Sequence, residues 1–149
     1  MTFRLTADPT PRTWTRRGGH IEPQKWMAIV DSLPGTFIRL KTVAGLNARE
    51  HWAVKAKRSK NERKWGWAIG RGKTLPARVT FCRYSSAMMD SDNLPQCFKA
   101  LRDGIADSLG CGDAPTAPVE WLYRQEKCPR GCYGVRVLIE SAAIRGAYV

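Results

Sequence analysis

Apolar and polar positions along this chain follow two rhythms. From Thr36 to Thr42 they alternate in steps of two, with Phe37, Ile38 and Leu40 as the apolar members, which predicts a β-strand. Ala77 to Tyr84, through Val79, Phe81 and Cys82, predicts a second strand. Val119 to Gln125 and Tyr133 to Glu140 predict two more, and Lys127 to Cys132, with Pro129 and Gly131, reads as a hairpin turn between them. The other rhythm is helical. Trp52, Ala56, Trp65 and Ile69 recur at helical spacing within Ala48–Ile69, and Asn47 with Glu50 three positions on reads as a capping box. A second helix is predicted over Asp92–Leu109, ended by Gly110. At about 100° per residue, Leu94, Phe98, Leu101 and Ile105 share its core face, while Asp92, Gln96, Lys99 and Asp103 share the opposite one. Gly70 to Lys73 is a turn and Ser85 to Met89 a loop.

The resulting order is strand, helix, strand, helix, strand, strand. It predicts an α+β fold in which two main helices pack on one mixed β-sheet. A chain of 149 residues suffices for one such domain, placed here at residues 35–141. Residues 1–34 are set apart as a basic, turn-rich extension containing Arg12, Arg16, Arg17, Pro9, Pro11, Gly18 and Gly19, in which only Trp26–Val30 offers a short element. Residues 142–149 form a tail.

Charge narrows the function. Lys and Arg number 25 against 13 Asp and Glu, a formal net charge of +12 with a pI near 10.0. A field of that sign recruits polyanions, nucleic acid above all. Lys55, Lys57, Arg58, Lys60, Arg63 and Lys64 concentrate it on the first helix as a DNA-facing surface. No apolar run approaches the ~18 residues of a membrane span, and Met1–Leu5 lacks a signal-peptide core, so a cytoplasmic protein without membrane contact is expected. An odd set of cysteines, Cys82, Cys97, Cys111, Cys128 and Cys132, argues against a disulfide framework. Cys128 and Cys132 lack both zinc-ligand spacing and a second pair, Gly70-Arg71-Gly72-Lys73 lacks phosphate-loop spacing, and neither His20 nor His51 belongs to a nucleophilic triad.

In so basic a chain the acidic stretch Asp90–Asp113 is the anomaly. Asp92 reads as an N-cap, Asp90 projects to the same side from an extended approach, and Asp113 swings back on a Gly-rich loop. Carboxylates converging beside a polyanion site need a cation, and Mg²⁺ accepts one or two carboxylates plus water and phosphate oxygens. Such a metal generates a hydroxide nucleophile and neutralises developing charge, while Lys99 on the Asp92 face stabilises the transition state. Spacing alone equally allows Asp92 to be only a cap and Lys99–Asp103 only an i,i+4 ion pair.

Asp90-Ser91-Asp92-Asn93, Lys99, Asp103 and Asp113 together resemble the RusA family of Holliday junction resolvases, especially its phage-borne members. Gly112 stands where the family often has a second acid, and Lys99 lies further from Asp92 than usual, with Gln96 as the alternative occupant. Asn47-Ala48-Arg49-Glu50-His51-Trp52 resembles the family's early segment, and Trp121–Glu140 its closing strands. The resemblance runs from Thr36 to Glu140. It implies a two-layer RusA-like sandwich and a Mg²⁺-dependent endodeoxyribonuclease, with Mn²⁺ as substitute. Asp90, Asp92 and Asp113 would hold the metal, Lys99 would join them in catalysis, and Asn93 and Asp103 would support them. Asn47, Arg49, His51, Lys55, Arg58, Arg63 and Lys64 would contact DNA. A homodimer acting on four-way junctions or other branched DNA is implied, in a bacterial host carrying a phage or prophage. The alternative is a basic nucleic-acid-binding protein without catalysis.

Overall fold

The computed structural model describes residues 22–42, 50–112 and 116–141. In chain order these form α1 (Pro23–Ser32), β1 (Thr36–Ile38), α2 (Trp52–Gly70), β2 (Ala77–Ser85), α3 (Leu94–Cys97), α4 (Lys99–Leu109), β3 (Val119–Lys127) and β4 (Gly134–Ser141). The architecture is α+β on a single mixed sheet, as expected, with strand order β1-β4-β2-β3.

β2 is one of two interior strands, with β4, and both its faces are covered. Val79 and Phe81 join Val135 and Val137 of β4 beneath Phe98, Leu101 and Ile105. The core face proposed for the second helix is therefore the buried one, and Leu94 lies in the same cluster. Phe98 stacks on Phe81 at 5.0 Å and on Tyr123 at 6.0 Å between ring centroids. The opposite face carries Cys82 and Tyr84, covered by Trp26 and Val30 of α1 together with Cys128. Buried Arg136 lies on that side, its Nε donating to the Tyr84 hydroxyl at 3.0 Å and its Nη1 to the Pro34 carbonyl at 3.3 Å.

Several expectations change. α1 belongs to the packed fold, although residues 1–34 were set apart from it. Its only buried residues, Trp26 and Val30, stand i,i+4 on one face, a signal too short to outweigh the basic, Pro-rich sequence before it. The last two strands do not form a hairpin. β3 pairs in parallel with β2, Phe81 opposite Tyr123, and β4 pairs antiparallel on the other side of β2, Phe81 opposite Val137. The Pro129–Gly131 turn reverses the chain, but the Cys128 amide donates to the Ser85 carbonyl, so the chain crosses the end of β2 instead of folding back on β3. β1 ends at Ile38, short of Thr42, because the Leu40 amide closes onto the Ile38 carbonyl at 2.8 Å in a γ-type turn.

The helices also shift. α2 starts at Trp52, not Ala48, with His51 Nδ1 accepting from the Ala53 amide at 3.3 Å. Asn47 lies outside the described residues, and Glu50 turns to Arg58 at 2.9 Å instead of closing a capping box. The second helix breaks at Phe98 into α3 and α4. Asp92 is not its N-cap. That role falls to Asn93, which makes no side-chain cap bond. An aspartate at 92 would cap the amides of residues 94 and 95, but Pro95 has no N–H and the Leu94 amide bonds to the Ser91 carbonyl. Gly110 ends α4 as expected, in the left-handed region at φ 71°.

The helical stripe of Trp52, Ala56 and Trp65 is not the buried face of α2, and of the expected set only Ile69 packs on the core. The buried positions are Glu62, Gly66 and Gly70. A Cβ at Gly66 would run into the Leu101 carbonyl oxygen of α4, and one at Gly104 into the Arg63 carbonyl oxygen of α2. The two backbones touch, so no large side chain fits between them. Trp52 and Trp65 stay 77% and 53% exposed.

Gly104→Ala tests this contact by sign. In an open helix the change stabilises by about 1 kcal/mol; here the collision with backbone should cost about 1–3 kcal/mol net. The urea midpoint at constant m-value should fall, and a rise would show that the helices do not approach this closely.

Candidate functional site

Asp90 and Asp92 occupy the connection from β2 into α3, and both are exposed. The Asn93 amide donates to the Asp90 carbonyl at 3.0 Å, closing the turn that carries them. Two buried-side polar residues fix the approach to that turn. Gln125 of β3 clamps Met89 through its side-chain amide, Oε1 accepting from the Met89 N–H at 3.0 Å and Nε2 donating to its carbonyl at 2.7 Å. Arg83 of β2, only 8% exposed, donates from Nη1 to the Ala87 carbonyl at 2.9 Å and from Nε to Thr42 Oγ1 at 2.7 Å. Arg83 and Gln125 are register partners across β2 and β3. Sequence reasoning passed over both. The signal was present: each continues an inward-facing series, Val79–Phe81–Arg83 and Trp121–Tyr123–Gln125, at the step where an apolar residue would be ordinary.

A groove of about 500 Å³ opens between α2 and the α3–α4 pair. Lys55, Arg58, Ser59, Lys60, Glu62 and Arg63 line one side, and Gln96, Cys97, Lys99, Ala100 and Asp103 the other. Sequence-predicted Lys55, Arg58, Arg63, Lys99 and Asp103 thus meet in one place. Lys99 Nζ pairs with Asp103 Oδ2 at 3.0 Å and remains 64% exposed. Arg63 reaches Asp107 at 2.7 Å. Arg58 bridges Glu50 at 2.9 Å and Glu62 at 3.3 Å, so part of the positive lining is neutralised, while Lys55, Lys60, Arg63 and Lys99 are exposed.

Other candidates lie elsewhere. Asp90 and Asp92 do not line the groove. Asn93 is half-buried, Lys64 is exposed on α2 away from the groove lining, and His51 serves as a helix cap. Asn47, Arg49 and Asp113 lie outside the described residues. Among the described residues no three His, Cys, Asp or Glu side chains gather as metal ligands. Asp90 and Asp92 are exposed hard-oxygen donors, a pair that suits a divalent cation completed by water and phosphate.

Electrostatics mark Glu62 as unusual. Burial raises its pKa, against the opposing pull of Arg58. Half-buried Glu50 behaves oppositely, lowered first by its hydrogen bond from Arg58. The thiols of Cys97 and Cys128 are pushed by burial up to about 12, which keeps both as inert thiols at neutral pH.

No family model matches the sequence, and no solved structure matches it. An uncharacterized protein of Xylella fastidiosa is 35% identical over 78 residues, 45% of this chain and 51% of that protein. The chain therefore spans about half the length of that curated relative. No helix among the described residues is long and apolar enough to cross a membrane.

Because Glu62 ionises less readily folded than unfolded, its contribution to stability is fullest below its ordinary value of 4.5 and is lost as pH rises through the raised folded value. The stability of the native sequence relative to Glu62→Gln should thus decline as pH rises above 4.5. Urea titrations of both proteins across that range would show it, and a constant difference would contradict it.

Proposed function

We propose that the chain is a Mg²⁺-dependent, structure-specific endonuclease that hydrolyses phosphodiester bonds in four-way junctions or related branched DNA during recombination or repair. One observation carries the reading. The turn bearing Asp90 and Asp92 leads directly into α3, whose Gln96 and Cys97 form the wall of a groove lined with Lys55, Arg58, Lys60, Arg63 and Lys99. Cationic side chains in a concave site draw in a polyanionic backbone, and the carboxylates precede in sequence the helix that forms one wall. The D-x-D-N, Lys99, Asp103 and Asp113 pattern resembling RusA resolvases supports the same assignment.

In this reading Asp90, Asp92 and Asp113 hold the metal through carboxylate oxygens. When bound, Mg²⁺, or Mn²⁺ in its place, lowers the pKa of a water and neutralises charge at the scissile phosphate. Lys55, Lys60 and Lys64 seat the flanking phosphates. Lys99 leaves Asp103 to donate to the departing oxygen, a short movement for an exposed four-carbon side chain. Asp103 holds the ammonium ready until then. Symmetric cutting of a junction calls for a homodimer, and the reading places the activity in the cytoplasm of a bacterial host of phage or prophage. The Lys99–Asp103 pair, closed at 3.0 Å, favours the second reading, a nucleic-acid-binding protein without catalysis.

Asp92→Asn separates them. With a labelled four-way junction and Mg²⁺, cleavage should disappear while binding is kept or tightened, since the change removes negative charge beside phosphate. Loss of binding and cutting together in a folded variant would defeat the metal-site reading.

Lys99→Ala should slow single-turnover cleavage of a saturated junction by roughly 100- to 1,000-fold, the usual effect of losing one transition-state donor. The core is spared, because Lys99 points away from Phe98, Leu101 and Ile105. A change under about threefold would reduce Lys99 to half of a surface ion pair.

A further inference from the structure

We infer that the outward ridge of α2, formed by Lys60, Lys64, Trp67 and Arg71, is a stacking platform for unpaired nucleic-acid bases. At about 100° per residue Lys60, Lys64 and Trp67 fall within one narrow sector to one side of the buried stripe of Glu62, Gly66 and Gly70, and Arg71 follows as the C-cap. Trp67 is 47% exposed. The guanidinium of Arg71 lies 5.6 Å from its ring, which steadies the indole while half of it stays open.

Trp67 belongs to neither of the two buried core clusters. α2 meets α4 through backbone at Gly66 and Gly104, with the Trp67 amide beside Gly104, and nearly half of Trp67 stays in solvent. A large aromatic left in water forgoes the gain of burial, so its neighbours indicate the occupant. They are cations: Lys64 one turn before it, Arg71 one turn after it, and Lys60 two turns before. Protein interfaces deplete charge around their aromatic centres. Single-stranded nucleic acid asks for the opposite, an aromatic face for the base with positive charge for the phosphates on either side. The platform is also continuous with the groove, since Lys60 lines that groove as well. A strand leaving the groove over Lys60 meets Trp67 next. At the crossover of a branched DNA, unpaired bases would be available to it.

This inference rests on the reading of the chain as a binder of branched DNA. Its test uses binding alone, in chelator, so that it does not depend on catalysis. The full chain and its Trp67→Ala, Trp67→Leu and Trp67→Phe variants are titrated by fluorescence anisotropy against a mixed-sequence single strand and a fully paired duplex of equal length. Trp67→Ala should weaken single-strand binding on the order of 5- to 150-fold, the effect of losing one stacked base, and leave duplex affinity within about twofold. Trp67→Leu keeps apolar bulk without a ring, so it should lose as much, and it carries the test if the alanine variant unfolds. Trp67→Phe should retain most of the binding. Unchanged single-strand affinity, or equal losses on both DNAs, overturns the platform. So does a change in sedimentation of the variants, which would make this face a protein interface. If the native sequence binds neither DNA, the DNA-binding reading falls with the platform. If it binds and the variants match it, the platform alone falls.

Discussion

The close approach of α2 to α4 governs much of what this molecule presents to solvent. Gly66 and Gly104 let the two backbones come within contact of one another's carbonyls, and Trp52, Trp65 and Trp67 of α2 stay exposed. Arg63 is brought to Asp107, Arg58 spans Glu50 and Glu62, and the lysines are distributed between the groove and the outer ridge. A helix packed through leucines would stand farther off, with its apolar stripe buried and its groove wider. Here the contact has almost no side chain in it, so α2 spends its tryptophans on the surface.

The sheet supplies the other half of the frame. Phe98, at the break between α3 and α4, stacks into a layer with Phe81, Tyr123 and Trp121. Arg102 covers Trp121 at 4.8 Å and donates to the Tyr123 hydroxyl at 3.0 Å. This aromatic layer holds the α3–α4 junction over β2 and β3. The turn with Asp90 and Asp92 then emerges at a fixed place on the rim.

The period-two strands were legible because β2 and β4 repeat apolar residues on a strict alternation, and so was the face of Leu94, Phe98, Leu101 and Ile105, which is buried as its spacing required. The pairing of β3 was not. A turn rich in Pro and Gly says that the chain reverses, and only the demand of β2 for partners on both edges says where the next strand goes. The buried face of α2 was unreadable for a different reason: its signal consists of glycines and a glutamate, residues that hydrophobic periodicity scores as gaps. At the site, Lys99 and Asp103 were legible as neighbours on one face. The cap assigned to Asp92 failed through the missing N–H of Pro95, a covalent fact present in the sequence. Arg83 and Gln125 went unseen because a polar residue in a strand looks outward until its register is known.

β3 lies at the edge of the sheet, with β2 as its sole neighbour in the strand order. Gln125 reaches from that edge strand to grip Met89, just ahead of Asp90. The acidic turn is thus moored to the element that is held from one side only. Edge strands open at lower free-energy cost than central ones. Loosening of β3 near Gln125 would release one of the two moorings of the acidic turn and leave the other, Arg83 of β2, in place. The approach to Asp90 and Asp92 is therefore tied at once to an interior strand, through Arg83, and to an edge strand, through Gln125.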